Sequence, residues 1–258
     1  MTQVWYTVTD WLIRRRALNG RGIGFVPTMG ALHRGHASLV ERCRRENEIV
    51  VASIFVNPSQ FNDPKDLERY PRTLESDLAL LESLGADEVL VPNASELYPN
   101  GYCFRVEPVG DAPVMEAALR PGFLQGVMTV VLKLLGIVRP NRAYFGEKDY
   151  QQLTFVTDMV REFFIPTEIV PCPTVREASG LAESSRNRLL SPEGKEKAAW
   201  LFRALTTAAN PAEARSILHA QGIVVEYVEE RWGRRLAAAC LEGVRLIDNV
   251  PAGETERP

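Results

Sequence analysis

Two histidines three positions apart, His33 and His36, stand in the stretch Pro27-Thr28-Met29-Gly30-Ala31-Leu32-His33-Arg34-Gly35-His36, in a chain with only 3 histidines. Before them, the apolar run Ile23 to Val26 reads as a buried strand stopped by Pro27; behind them, Leu39, Val40 and Cys43 recur at the spacing of one helix face. A strand, a glycine-containing turn and a helix in that order gather unpaired N–H groups and the positive end of the helix dipole at the turn, where Gly30 and Gly35 allow close backbone approach. Imidazoles set there would face an anion such as a phosphate. Taken alone, a His-x-x-His pair describes ordinary histidines on one side of a helix equally well. A resident metal is not expected: zinc needs more ligands than this pair supplies, neither Cys-x-x-Cys nor His-Glu-x-x-His occurs, and His219 lies far along the chain.

Other polar segments follow runs that read as strands. Glu48 to Val56 is apolar and β-branched, so strand, helix and strand form one unit, which implies a parallel sheet with a right-handed crossover. Asn57-Pro58-Ser59-Gln60-Phe61-Asn62 leaves its carboxyl end. Arg142 to Phe145 is a brief strand ending in Gly146-Glu147-Lys148-Asp149, followed by a helix carrying Leu153, Val156 and Val160. All three segments belong on the sheet edge where open α/β sheets bind ligands. Singly, each is also an ordinary polar turn.

The remaining elements supply the scaffold. Helices are expected over Thr7 to Asn19, from Pro71 through Leu84, and over Val127 to Val138; strands over Asp87 to Pro92, Phe104 to Val109 and Thr167 to Val170. Ser184-Ser185-Arg186-Asn187 is turn-like, and Ser191-Pro192-Glu193 reads as the start of a new helix. The fold class expected is therefore α/β: a parallel-sheet domain, residues 1–184, followed by a smaller α+β domain, residues 185–258. The latter would hold helices around 193–209 and 211–221 and strands near 223–228 and 244–248.

Composition narrows the function classes. The chain has 258 residues, 45% of them hydrophobic, which is enough for a sizeable core. With 30 basic against 33 acidic residues there is no excess positive charge, so nucleic acid is not an expected partner. Cys43, Cys103, Cys172 and Cys240 are scattered, the N-terminus lacks a basic segment followed by an apolar run, and no apolar run is long enough to span a membrane. A reduced, cytoplasmic protein with no membrane partner is expected.

Taken in order, five segments resemble the pantothenate synthetase family of the HIGH-type nucleotidyltransferase superfamily, whose first domain is related to class I aminoacyl-tRNA synthetases. They are Pro27 to His36, Ser53 to Phe61, Phe145 to Leu153, Ser184 to Asn187 and Arg245-Leu246-Ile247-Asp248-Asn249. The resemblance implies a Rossmann-like first domain with a smaller C-terminal domain, a homodimer, and an AMP-forming acid–amine ligase that joins (R)-pantoate to β-alanine through a pantoyl-adenylate, releasing pyrophosphate. ATP with Mg²⁺ would be a substrate, with no tightly bound cofactor. By motif match Met29, Gly30, Ala31, Leu32, His33, Arg34, Gly35 and His36 would contact ATP, His36 as proton donor. Gly146, Glu147, Lys148, Asp149, Val175, Glu183, Ser184, Ser185 and Arg186 would complete the ATP contacts. Lys148, Arg186 and the two histidines would neutralise charge on the transferring phosphates. Gln60, Gln152 and Asn57 would hold pantoate, Gln60 also reaching β-alanine.

The chain departs from the family pattern in places. Glu183 stands where an apolar residue is usual, and an acid beside phosphates is repulsive unless it points away or meets Mg²⁺. Phe123-Leu124-Gln125 replaces a His-Phe pair, Met115-Glu116-Ala117 a Leu-Glu-Gly, and Glu229 to Leu241 is short. A nucleotidyltransferase moving the adenylyl group to a phosphate, and an inert nucleotide-binding protein, are the competing readings; the carboxamides, in place of a basic acceptor pocket, speak against the first.

Overall fold

The alternation of apolar runs and amphipathic segments is realised as six parallel strands with helices between them. The structure, a computed structural model, describes residues 1–109 and 114–252. By packing, the chain divides into two units: Met1–Glu147 with Gln151–Cys172, and Lys148–Tyr150 with Pro173–Pro258. The boundary expected between residues 184 and 185 falls inside the second unit.

The first unit runs Gln3–Trp5 (β1), Val8–Ala17 (α1), Ile23–Thr28 (β2), Arg34–Glu46 (α2) and Ile49–Ile54 (β3). It continues through Pro64–Arg69 (α3), Leu74–Ser83 (α4), Glu88–Leu90 (β4), Ala94–Leu97 (α5), Glu116–Leu119 (α6) and Phe123–Val138 (α7). Arg142–Gly146 (β5), Tyr150–Glu162 (α8, less its first residue) and Glu168–Cys172 (β6) complete it. The sheet order is β1-β4-β3-β2-β5-β6. Every residue of β3 is buried, as a parallel sheet covered on both faces requires. The stripe Leu39, Val40 and Cys43 seats α2 on it, and Gly24 leaves the room: a Cβ there would lie 2.4 Å from the Cys43 sulfur.

From β2 the chain moves outward to β3 and β4 on one side, while β5 and β6 lie on the other, so the strand order reverses between β2 and β5. Ligands bind outside the carboxyl ends of strands at such a switch point. Here Pro27 matters. The strand does not stop at it but runs to Thr28, with Pro27 opposite Ser53 of β3. Ile23, on the same edge as Phe25 and Pro27, bonds Asn141 on the β5 side through both its N–H and its C=O. The N–H that proline lacks would therefore face β5, whose pairing with β2 ends at Phe25 and Ala143. Proline is tolerated because the two strands have already parted.

Three expectations need correcting in this unit. Phe104 to Val109 forms no strand: Phe104 and Val109 are exposed, and the Val106 N–H bonds the Thr129 hydroxyl on α7. α4 starts at Leu74, with Thr73 as N-cap, and Pro71 lies before it. The strand β1, paired with β4, was not foreseen in its three residues. No helix among the described residues is long and apolar enough to cross a membrane.

In the second unit, Pro192–Ala198 (α9), Trp200–Thr207 (α10) and Pro211–Ala220 (α11) precede an antiparallel sheet of Val224–Arg231 (β7), Arg234–Leu241 (β8) and Val244–Pro251 (β9). The single helix expected over 193–209 is broken at Ala199. The middle strand β8 was not expected, because its run Ala237-Ala238-Ala239 has weak intrinsic strand preference. Burial decides it: these alanines are at most 2% exposed, and Leu201, Leu205, Leu218, Leu246 and Val250 share the core of Ala237 and Ala239. Trp232-Gly233 and Glu242-Gly243, all at positive φ, make the two tight turns.

Candidate active site

The turn after β2 is held from three directions. The Thr28 hydroxyl donates to the Ser53 carbonyl at 2.7 Å and accepts the Gly30 N–H at 3.2 Å. Gly30 then takes φ +76° and Ala31 φ +50°. For alanine that left-handed conformation costs about 1–2 kcal/mol. It is held by Asp77, in the first turn of α4 and 3% exposed, whose Oδ2 accepts the Ala31 N–H at 2.9 Å and whose Oδ1 accepts the Leu32 N–H at 2.8 Å. The Thr73 hydroxyl supports Oδ2 at 3.0 Å.

Beyond the turn His33 is the N-cap of α2, its Nδ1 accepting the Gly35 N–H at 3.1 Å. That bond leaves Nε2 as the protonated nitrogen of a neutral ring. The His33 and His36 rings lie 4.1 Å apart, centroid to centroid, at the helix N-terminus. Both are half-buried, as is Met29, whereas Arg34 is exposed. Two imidazoles at the positive end of a helix dipole can hold an anion and pass it a proton.

A second polar cluster follows β3. Asn57 caps the short turn Pro58–Gln60 and is 1% exposed. Its Oδ1 accepts from the hydroxyls of Tyr98 at 2.9 Å and Ser59 at 3.0 Å; its Nδ2 donates to Gln60 Oε1 at 3.0 Å and to the Gly126 carbonyl at 3.2 Å. Gln60 is thereby oriented, with Nε2 toward the Met29 sulfur at 3.0 Å. Burial pushes the Tyr98 phenol above its ordinary range, so it stays a donor. Gly126 permits the close approach of α7: a Cβ there would meet the Ser59 carbonyl oxygen at 2.3 Å. Asn57 thus bonds within the protein, positioning Gln60. On α8, Gln152 is half-buried, while its neighbour Gln151 is buried and holds the main chain of Val114 and Glu116. Phe123, one of the departures, lies under the Arg120 guanidinium at 3.7 Å, and Arg120 pairs with Glu116 at 3.5 Å.

The other candidates belong to the second unit, except Gly146 and Glu147, which leave the end of β5 in the first. Lys148 pairs with Asp149 at 3.7 Å, its side chain 18% exposed, and its carbonyl accepts from Asn249 at 2.9 Å. Glu183 donates its N–H to the Val175 carbonyl at 2.9 Å, and Arg176 bridges to Ala182, so Val175 and Glu183 face each other across a narrow hairpin. Ser184 caps the turn Ser185–Leu189, its Oγ accepting the Arg186 N–H at 3.3 Å; Ser185 is buried and Arg186 half-buried. The structure thus places Met29 to His36 in one unit with Gln60, which reaches Met29, and Lys148, Val175 and Glu183 to Arg186 in the other, where Glu183 bonds Val175.

Asp77 and Tyr98 were not among the sequence candidates. Asp77 did leave a signal: it interrupts the apolar stripe Leu74, Leu78 and Leu81 at a position where a carboxylate must be satisfied by hydrogen bonds. Tyr98 left none.

Comparison with known proteins accounts for nearly the whole chain. Residues 2–251 match the family model described as pantoate-beta-alanine ligase. The pantothenate synthetase of Bdellovibrio bacteriovorus is 50% identical over 250 residues, 97% of this chain and 99% of that one. A pantoate-beta-alanine ligase from Francisella tularensis, solved with beta-gamma ATP and beta-alanine, superposes with a TM-score of 0.93 at 40% identity, over 98% of both chains. The pantothenate synthetase of Thermus thermophilus gives a TM-score of 0.89 at 45% identity, over 97% of this chain and 99% of that one.

Proposed function

The chain belongs to the pantoate–β-alanine ligase family and is a ligase of pantothenate synthesis, and on that premise we propose that it works in two steps through a pantoyl-adenylate. In the first, a carboxylate oxygen of (R)-pantoate attacks the α-phosphate of MgATP, forming a carboxyl–phosphate bond as pyrophosphate leaves. In the second, the β-alanine amine attacks the adenylate carbonyl, an amide forms, AMP departs with the bonding electron pair, and the amine gives up a proton.

The observation that carries this reading is the turn at the β2–β5 switch point, where His33 and His36 stand 4.1 Å apart on a helix N-terminus. Met29 to His36 bind the nucleotide, with His36 donating a proton to the phosphates. Gly146 to Asp149, Val175 and Glu183 to Arg186 supply the remaining ATP contacts, Lys148 and Arg186 neutralising developing charge. Gln60, oriented by Asn57, and Gln152 hold pantoate; Gln60 also meets β-alanine. Carboxamides suit a substrate rich in hydroxyls, and the Francisella structure, holding beta-gamma ATP and beta-alanine, supports the substrate pair. The enzyme acts as a cytoplasmic homodimer. Nucleotide chromatography with ATP, Mg²⁺, pantoate and β-alanine tests it: AMP should form in step with pantothenate, and no AMP above the control without amine rejects it.

A further inference from the structure

Arg245 to Asn249, the last of the family-like segments, carries no role in the chemistry above, yet its Asp248 and Asn249 begin a run of three successive buried residues of β9 that Val250 completes. Strand alternation sets Asp248 on the face shared with Leu246 and Val250, and Asn249 on the other. Asp248 receives the fork of Arg176, Nη1 to Oδ2 at 2.6 Å and Nη2 to Oδ1 at 2.9 Å, while that guanidinium stacks 4.0 Å over the Phe202 ring. Arg176 donates further to the carbonyls of Gly180 at 3.0 Å and Asn249 at 3.2 Å. The hairpin from Val175 to Glu183 is thus clasped to β9.

Asn249, 1% exposed, accepts from Arg234 Nε at its Oδ1, which turns its Nδ2 to the Lys148 carbonyl at 2.9 Å. Arg234 also lies 4.6 Å over the ring of Tyr150, two residues beyond Lys148. Glu147–Asp149 is a single turn of tight helix, too short to fix its own main chain by internal hydrogen bonds. This amide anchors it from outside at the Lys148 carbonyl, and Arg234 sets the amide's orientation.

We infer that Asn249 is the positioning residue for Lys148, holding its main chain so that the ammonium group meets the phosphates, while Asp248 through Arg176 holds the Val175–Glu183 hairpin on the same strand. This rests on the assignment of Lys148 to ATP made above. Displacing a reacting group by about 1 Å costs on the order of a hundredfold in rate.

A double-mutant cycle on the full-length chain tests it. Asn249→Asp keeps the shape and the acceptor for Arg234 but turns an oxygen toward the Lys148 carbonyl; Asn249→Ala is carried in parallel. In the native background single-turnover adenylation should fall about ten- to hundredfold. In a Lys148→Ala background either substitution should cost less than about threefold, because the group it positions is gone. ATP affinity by calorimetry keeps the cycle readable where turnover is lost. Equal losses in both backgrounds, or none in the native one, overturn the inference. If Lys148→Ala alone leaves adenylation and ATP affinity unchanged, the assignment of Lys148 fails, and the inference with it.

Discussion

The carboxylate of Asp77 accepts the main-chain N–H of Ala31 at 2.9 Å and so holds an alanine at φ +50° in the turn that carries both histidines. The bond spans 46 positions of sequence and joins α4 to the end of β2. Asp77→Asn removes the charge and one acceptor, leaving a buried N–H without its partner at a cost of about 1–3 kcal/mol. We expect a lower melting temperature together with weaker ATP binding. Ala31→Gly, which meets no left-handed penalty, should recover part of the lost affinity in the Asp77→Asn chain. Native ATP affinity in Asp77→Asn would show that the turn holds its own shape.

His36→Ala should slow adenylate formation by roughly 10²–10³, the loss expected for one transition-state donor. His219, exposed in the last turn of α11, serves as the control, and His219→Ala should change little. Near-native single-turnover adenylation in His36→Ala would remove His36 from the mechanism.

Gln60→Ala and Gln152→Ala each delete a hydrogen bond to a small polar substrate, worth about 0.5–1.5 kcal/mol net. The KM for pantoate should rise while ATP binding survives. Tyr98→Phe should act in the same direction and less strongly, because it removes one of the hydroxyl donors that fix Asn57 and, through it, Gln60. Loss of ATP affinity with a normal pantoate dependence would contradict the assignment.

Burial pushes the Cys43 thiol up to about 12, from an ordinary value of 9.0. The folded state thus binds the proton more tightly than the unfolded chain, so this contribution to stability is complete below pH 9.0 and is lost as pH rises toward 12. At pH 10.5 the loss is about 2 kcal/mol. Urea unfolding at pH 8 and pH 10.5 should show it, and Cys43→Ala should flatten the difference; an identical difference in that variant would place the alkaline loss elsewhere. In the folded chain a thiol reagent at pH 8 should modify the exposed Cys103 long before Cys43.

No serine or cysteine nucleophile beside a histidine base is evident in the sequence, so the pantoate carboxylate is expected to attack directly, without a covalent enzyme intermediate. Pantoate labelled with ¹⁸O in its carboxylate should then pass one label to the phosphate of AMP. Label confined to pantothenate and water, or release of ADP with inorganic phosphate, would exclude the adenylate route.

Local periodicity made much of this molecule legible. Apolar β-branched runs such as Glu48 to Val56 and stripes such as Leu39, Val40 and Cys43 declare strand and helix within a few residues. Strand, helix and strand in succession imply a parallel sheet, because only that crossover buries both. The histidines were visible as candidates because a glycine-containing turn feeding a helix is itself a local pattern.

What only the tertiary structure decided depends on partners remote in sequence. Pro27 reads locally as a strand stop; its tolerance inside β2 follows from where the β5 pairing ends, which no window around Pro27 contains. Asp77 reads as a polar residue in a leucine stripe until the N–H groups of Ala31 and Leu32 arrive to satisfy it. The alanines of β8 become a strand because they are buried between β7 and β9, burial overriding a weak intrinsic preference. Lys148 packs with β9 through an amide 101 positions away. Hydrophobic periodicity is a property of neighbours along the chain, whereas the satisfaction of a buried hydrogen-bonding group is a property of neighbours in space, and it is the second that positions the chemistry.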